Sequence, residues 1–198
     1  MITGTSGSGK TTLINCISGL ETITSGEVKI EGVDLTKIRA SEMANLRKHK
    51  ISFVFQTYNL LPNLTVYENV LIASLIANRH KQHDEDAKLN IRQKIYELLQ
   101  KFNLFEFKDY FPNQISGGMQ QRCAIVRALI NDPEIIFADE PTGNLDSKSS
   151  EEVMKTLQFL HQEFNKTIVM VTHSLDHLKY ANRHVQLIDG EIISDERL

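Results

Sequence analysis

Eight residues close to the N-terminus, Gly4-Thr-Ser-Gly-Ser-Gly9-Lys10-Thr11, constrain this chain more than anything else in it. They match G-x-x-x-x-G-K-[ST], a loop whose glycines let the backbone curl until its N–H groups point inward at phosphate oxygens. Such a loop should follow a buried strand and run into a helix, expected here over Thr11–Ser18. The positive end of that helix adds to the cradle. Lys10 can reach β- and γ-phosphates, and the Thr11 hydroxyl can ligate Mg²⁺. A Gly/Ser-rich linker could match the glycines by chance, but the Lys-Thr-Thr-Leu-Ile run into an apolar helix speaks against that. The loop implies nucleotide binding; alone it does not say which class of hydrolase or kinase.

The rest of the chain alternates short β-branched runs with amphipathic stretches, the pattern of an α/β fold with a mostly parallel sheet. Strands are expected at Ile51–Phe55, Ile135–Ala138, Thr167–Thr172 and Val185–Ile188. Asp189-Gly190 then turns the chain into Glu191–Ser194, and Gly26–Leu35 reads as a small antiparallel hairpin. From about Thr65 to Phe105 the pattern is helical throughout. Thr65 and Glu68 have capping-box spacing, and Ile91, Ile95, Leu98, Leu99 and Phe102 share one helix face. The chain is therefore expected to be one domain over 1–198, with a helical subdomain inserted over about 60–130.

Composition removes several alternatives. The 198 residues carry a net charge of −3, which argues against a nucleic-acid partner. The two cysteines, Cys16 and Cys123, form no paired motif, so neither a disulfide scaffold nor a zinc ribbon is indicated. The longest apolar run, Val70–Ala77, is far short of the roughly 20 residues of a membrane span, and the N-terminus does not read as a signal peptide. A cytosolic protein is expected, with any membrane role arriving through a partner.

Two further patterns carry chemistry. Ile135-Ile-Phe-Ala-Asp139-Glu140 places two carboxylates at the end of a hydrophobic strand, where α/β folds bind ligands. The first would hold Mg²⁺ and the second could take a proton from attacking water. Upstream, Ser116-Gly117-Gly118 at a helix start makes a second N–H-rich anion cradle. Taken by itself, the segment reads better as a plain Ser N-cap with flexible glycines. His173 and His177 have H-x-x-x-H spacing, but no further ligand set accompanies them, and the other five histidines read as exposed. Cys123 reads as a small packing residue.

Taken together, these motifs resemble those of the nucleotide-binding domain of ATP-binding-cassette (ABC) transporters. The phosphate loop (Gly4–Thr11, the family's Walker A), Gln56 (Q-loop), Ile115–Met119 (signature), Ile135–Glu140 (Walker B), Asn144-Leu145-Asp146 (D-loop) and His173 (switch histidine) stand in that family's order. The resemblance implies an α/β P-loop NTPase fold of ABC type and an Mg²⁺-dependent ATPase. It also implies a head-to-tail dimer with a second copy, two ATP molecules being sandwiched between the phosphate loop of one subunit and the signature of the other. Gly4, Thr5, Ser6, Gly7, Ser8, Gly9, Lys10, Thr11 and Thr12 would then hold ATP, with Gln56, Ser116, Gly117, Gly118 and Asp146 completing the nucleotide contacts. Thr11, Gln56 and Asp139 would hold Mg²⁺; Glu140 would be the general base, His173 the γ-phosphate sensor, and Asp146 the link across the dimer. Ile115 and Met119 replace the family's usual Leu and Gln, while the Ser-Gly-Gly core is intact.

The runs Phe55–Val70 and Ala138–Ser147 are similar to the branch of macrolide exporters, lipoprotein-release ATPases, a cell-division ATPase and antimicrobial-peptide export systems. This implies a separately encoded membrane permease and attachment to the cytoplasmic face of the membrane through it; the substrate stays open. A soluble or regulatory ABC ATPase, such as a cell-division switch, is the alternative. In the family a further upstream segment supplies edge strands and an adenine-stacking aromatic, whereas only Met1-Ile2-Thr3 precede Gly4. The N-terminal strands are thus expected to be missing, with weak adenine discrimination and marginal stability.

Overall fold

The computed structural model describes residues 1–78 and 84–198. Among the described residues one six-stranded sheet organises the chain, in the order β4 (Ile51–Phe55), β5 (Ile135–Asp139), β6 (Thr167–Thr172), β1 (Ile2–Thr3), β7 (Arg183–Ile188), β8 (Glu191–Arg197). Neighbours pair in parallel as far as β7, and the β7–β8 edge is antiparallel. β2 (Lys29–Ile30) and β3 (Val33–Asp34) form the separate small hairpin, antiparallel as expected. The sheet is thus mixed and mostly parallel, flanked by helices, the α/β architecture the alternation of runs implied.

The period of two along each strand builds two cores. Val54, Ile136, Ala138 and Met170 face one apolar cluster; Ile51, Phe137, Val171 and Ile2 face the other. The first cluster takes the helices α3 (Val66–Ala77), α4 (Glu85–Lys101), α5 (Gly117–Leu129) and α6 (Ser147–Glu163). The second takes Ile14 of α1 (Lys10–Ile17) and the hairpin residue Ile30. α5 is the deepest helix: Cys123, Ala124, Ile125 and Val126 are fully buried. Burial pushes the Cys123 thiol up to about 12, so it packs as a small apolar side chain.

Local signals explain where the helices begin. Thr65 accepts the Glu68 N–H while Glu68 reaches back to the Thr65 N–H, a reciprocal capping box at the start of α3. Asp84 caps α4 and Asp146 caps α6 through their side-chain oxygens. Among the described residues the helical stretch expected from Thr65 to Phe105 holds the helices α3 and α4; residues 79–83, with His80 and His83, lie outside the described residues. The stripe on α4 is buried at Ile95, Leu98 and Leu99 and continues to Phe102. Sequence reasoning missed α2 (Ala40–His49), which buries no residue, and α6. No helix among the described residues is long and apolar enough to cross a membrane.

The short β1 fixes where the glycine loop stands. It lies between β6 and β7, so the loop leaves the middle of the sheet at its carboxyl end. The exit is tight: a Cβ on Gly4 would lie 2.2 Å from the Leu187 carbonyl oxygen and 2.5 Å from Ser8 Oγ. Gly4→Ala must push the loop off β7, at about 1–3 kcal/mol. A lowered urea midpoint with an unchanged slope is expected; an unchanged midpoint would contradict this packing.

Candidate active site

The glycine loop is shaped for an anion before any ligand is considered. Gly7 and Gly9 take φ of +81° and +91°, a region side chains strain to enter, and a Cβ on Gly7 would meet nothing within 4 Å. Gly9 serves as N-cap of α1 and the helix has no side-chain cap, leaving its first N–H groups for a ligand. Lys10, buried at 6% exposure, donates to the Gly4 and Thr5 carbonyls at 3.0 and 2.8 Å, so its ammonium stays inside the loop. Ser8 Oγ is buried and has no hydrogen-bond partner among the described residues. An orphaned buried hydroxyl and an enclosed ammonium at one loop fit a phosphate group.

Parallel pairing brings the acidic pair alongside. β5 ends at Asp139, and Asp139 Oδ1 accepts the Thr11 hydroxyl at 3.3 Å. Burial is the main force raising the Asp139 carboxyl above its ordinary value; the Thr11 hydrogen bond pulls it back, nearby Glu140 adds to the rise, and Lys10 opposes it. A half-buried carboxylate touching a hydroxyl is a donor set suited to a hard divalent cation. The next residue, Glu140, has φ of +44° although it precedes Pro141, a strained backbone for a non-glycine residue. Its N–H donates to Val171 O at 3.0 Å, which anchors the strained turn to β6. His173 comes directly after β6, and its Nδ1 lies 2.8 Å from Glu140 Oε2; the carboxylate acceptor assigns the proton to Nδ1.

The signature occupies a different neighbourhood. Ser116 is the N-cap of α5 and accepts the Met119 N–H at 3.3 Å. A Cβ on Gly117 would lie 2.9 Å from the Tyr58 hydroxyl, and one on Gly118 would lie 3.0 Å from Ser149. Asp146 accepts the Ser149 N–H and hydroxyl at 3.0 and 2.7 Å, hydrogen bonds that hold its carboxyl below the usual range. Ser116–Gly118 and Asp146 therefore gather around the start of α6, and no hydrogen bond among the described residues joins them to the glycine loop. Met119 is half-buried and packs against the larger core cluster, where the family's usual glutamine would have brought an amide.

Gln56 is held elsewhere than on Thr11 or Asp139. Its amide donates to Asn144 Oδ1 at 3.1 Å, and Asn144 Nδ2 donates to the Gln56 carbonyl at 3.2 Å. Sequence reasoning also missed two residues that brace the site. Gln121, fully buried in α5, donates to the Phe55 and Pro141 carbonyls at 3.2 and 2.6 Å, tying the end of β4 to the turn after Glu140. Arg127 donates to the Tyr58 and Asn59 carbonyls, both residues having positive φ. Their partners are backbone carbonyls far away in sequence, which no local pattern could signal.

A family model described as ABC transporter matches residues 1–143, from the glycine loop through both carboxylates. The chain belongs to the ABC transporter family. Its ATP-binding cassette is 44% identical over 192 residues to the bacitracin export ATP-binding protein BceA of Halalkalibacterium halodurans, covering 96% of this chain and 73% of that protein. It is 47% identical to the macrolide export ATP-binding/permease protein MacB of Aggregatibacter actinomycetemcomitans, over 98% of this chain and 29% of that longer one. Among solved structures, the cassette superposes at TM-score 0.86 on MJ0796 of Methanocaldococcus jannaschii, in a dimeric post-hydrolysis state bound to ADP and Pi. That pair is 42% identical, and the match covers 100% of this chain and 84% of the other. The two export proteins belong to the branch that the Phe55–Val70 and Ala138–Ser147 runs resemble.

Proposed function

We propose that this cassette is the ATP-hydrolysing subunit of a membrane exporter, acting as a head-to-tail dimer with a second copy and driving a separately encoded permease. The observation that carries the reading is the Glu140–His173 pair, 2.8 Å apart, placed directly after β5 and β6, the second of which neighbours the strand that leads into the glycine loop. The names of the similar export proteins support the direction of transport, and the dimeric MJ0796 cassette supports the pairing of copies. The permease would hold the cassette at the cytoplasmic face of the membrane.

In this reading Gly4–Thr12 wraps the ATP phosphates, and Lys10 leaves its carbonyl partners to meet the β- and γ-phosphates. The Thr11 hydroxyl and Asp139 would hold Mg²⁺, joined by Gln56 once its amide leaves Asn144. When bound, the ion neutralises charge between the β- and γ-phosphates. Ser116, Gly117 and Gly118 of the second copy close on the γ-phosphate, which accounts for a cradle that no hydrogen bond among the described residues joins to its own glycine loop. Glu140 takes a proton from water as the water oxygen bonds to the γ-phosphorus and the bridging P–O bond breaks, leaving ADP and phosphate. His173 orients Glu140 and senses the γ-phosphate, and Asp146 links the two sites. The helical subdomain over about 60–130 carries the signature at its end.

The purified dimer, alone or with its permease, is expected to hydrolyse ATP only with Mg²⁺ present and to lose turnover on chelation. Hydrolysis indifferent to chelator, or none in either form, would overturn the reading.

A further inference from the structure

Glu140 and His173 line a polar cavity of about 420 Å³, walled further by the start of α6 and the segment after β6. His177 joins these two walls. Its Nε2 lies 3.3 Å from Ser150 Oγ on α6, and its Nδ1 lies 3.4 Å from Thr172 Oγ1 at the end of β6. Thr172 Oγ1 already accepts the Ser174 N–H at 3.1 Å, so its own proton is available to His177 Nδ1. That leaves the imidazole neutral, with its proton on Nε2 donated to Ser150. Burial favours the same form, holding His177 below the ordinary imidazole value; Asp176 opposes this, while His173 and Lys179 reinforce it. Glu140 and Glu151 line the same cavity.

What His177 connects gives it meaning. Thr172 is the residue before His173, whose ring holds Glu140. Ser150 comes after Ser149, which fills the space above Gly118 of the signature and bonds the Asp146 cap. Arg122 of α5 also pairs with Glu152 of α6 at 2.7 Å, so the signature helix and α6 are fastened together. On one side of His177 stands the hydrolytic pair; on the other stands the packing of the signature, which faces the second nucleotide.

We infer that His177 is a positioning residue, fastening the start of α6 to the Glu140–His173 pair so that the general base is held in register with the helix bearing on the signature. The inference rests on the proposed ATPase reading. It assigns His177 an effect on turnover and none on nucleotide binding, because none of its hydrogen-bond partners belongs to the glycine loop.

The test is steady-state ATP hydrolysis by the full chain with Mg²⁺, with ATP affinity measured separately. His177→Leu is expected to lower kcat about tenfold with KM and Kd within about twofold, since misplacing a catalytic group by a fraction of an ångström costs rate rather than binding. Ser150→Ala should lower kcat by about threefold. The double variant should be no slower than His177→Leu, because both remove one link. His177→Gln, whose amide can donate to Ser150, should recover most of the lost rate. An unaltered kcat in His177→Leu, multiplying losses in the double variant, or a Kd raised beyond about twofold overturns the inference. A fall in melting midpoint that tracks the rate, with no recovery by Gln, also overturns it. Absence of hydrolysis by the unmodified chain overturns the ATPase reading itself, and this inference with it.

Discussion

Glu140→Gln is expected to slow ATP hydrolysis by about 10²–10⁴-fold, the range for loss of a general base, while ATP binding is preserved or tightened. The substitution changes one atom and keeps the shape. Glu140 sits at 21% side-chain exposure, its backbone pinned to Val171, and Gln can still accept from His173 Nδ1 through its amide oxygen. What it loses is the capacity to take a proton. A dimer that closes on ATP should then persist, because the reaction that opens it is removed. Light scattering should show the variant accumulating as a dimer with ATP and Mg²⁺, and returning to the parent distribution with ADP. A variant that hydrolyses at the parent rate would remove Glu140 from the role of base and leave the strained φ of +44° at this residue without a chemical purpose.

Lys10→Met is expected to weaken ATP binding about 10²-fold, close to 3 kcal/mol. Lys10 is buried within the glycine loop and donates to two of its carbonyls, so the ammonium is already desolvated and aimed where phosphate would lie. Charge-assisted contacts of this kind are worth about 1.5–3 kcal/mol each. Met fills nearly the same volume along the stem, so folding should survive and the loss should appear as affinity. Calorimetric titration of the two proteins with ATP separates the cases. An affinity within about threefold of the parent would mean that the loop does not hold phosphate through Lys10.

Much of this architecture was legible because its signals are local. β4 and β6 span the β-branched runs Ile51–Phe55 and Thr167–Thr172, and the Thr65–Glu68 spacing places the start of α3. α2 gave no such signal: none of its ten residues is fully buried, only Met43 and Leu46 packing in part on the second cluster, and it is capped by Arg39 rather than a short polar residue. The site divides in the same way. The glycine loop and the carboxylates can be read from spacing, because phosphate and metal chemistry restrict residue types at fixed intervals. Gln121, Arg127 and His177 cannot, because what matters is the partner each reaches across the fold: carbonyls of the β4 end and the Glu140 turn, carbonyls of Tyr58 and Asn59, or hydroxyls of α6 and β6. The H-x-x-x-H spacing of His173 and His177 comes with no further ligand set, and in the fold one ring faces a carboxylate and the other faces two hydroxyls. Gln56 differs again, since its position after β4 is legible but its bond to Asn144 is not.

The central claim is that each nucleotide site is built from two copies of the chain, the glycine loop of one and the signature of the other. Mixing two defective proteins tests it most directly. Lys10→Met disables the loop and Ser116→Arg the signature, so each variant alone should be nearly inactive. A heterodimer of the two contains one site with both parts intact, the loop of the Ser116→Arg copy facing the signature of the Lys10→Met copy. Titrating one variant into the other at a fixed total concentration should therefore raise the ATPase rate well above either alone, with a maximum near equal proportions. A rate that never exceeds the weighted sum of the two would contradict the shared site and place the chemistry within a single chain.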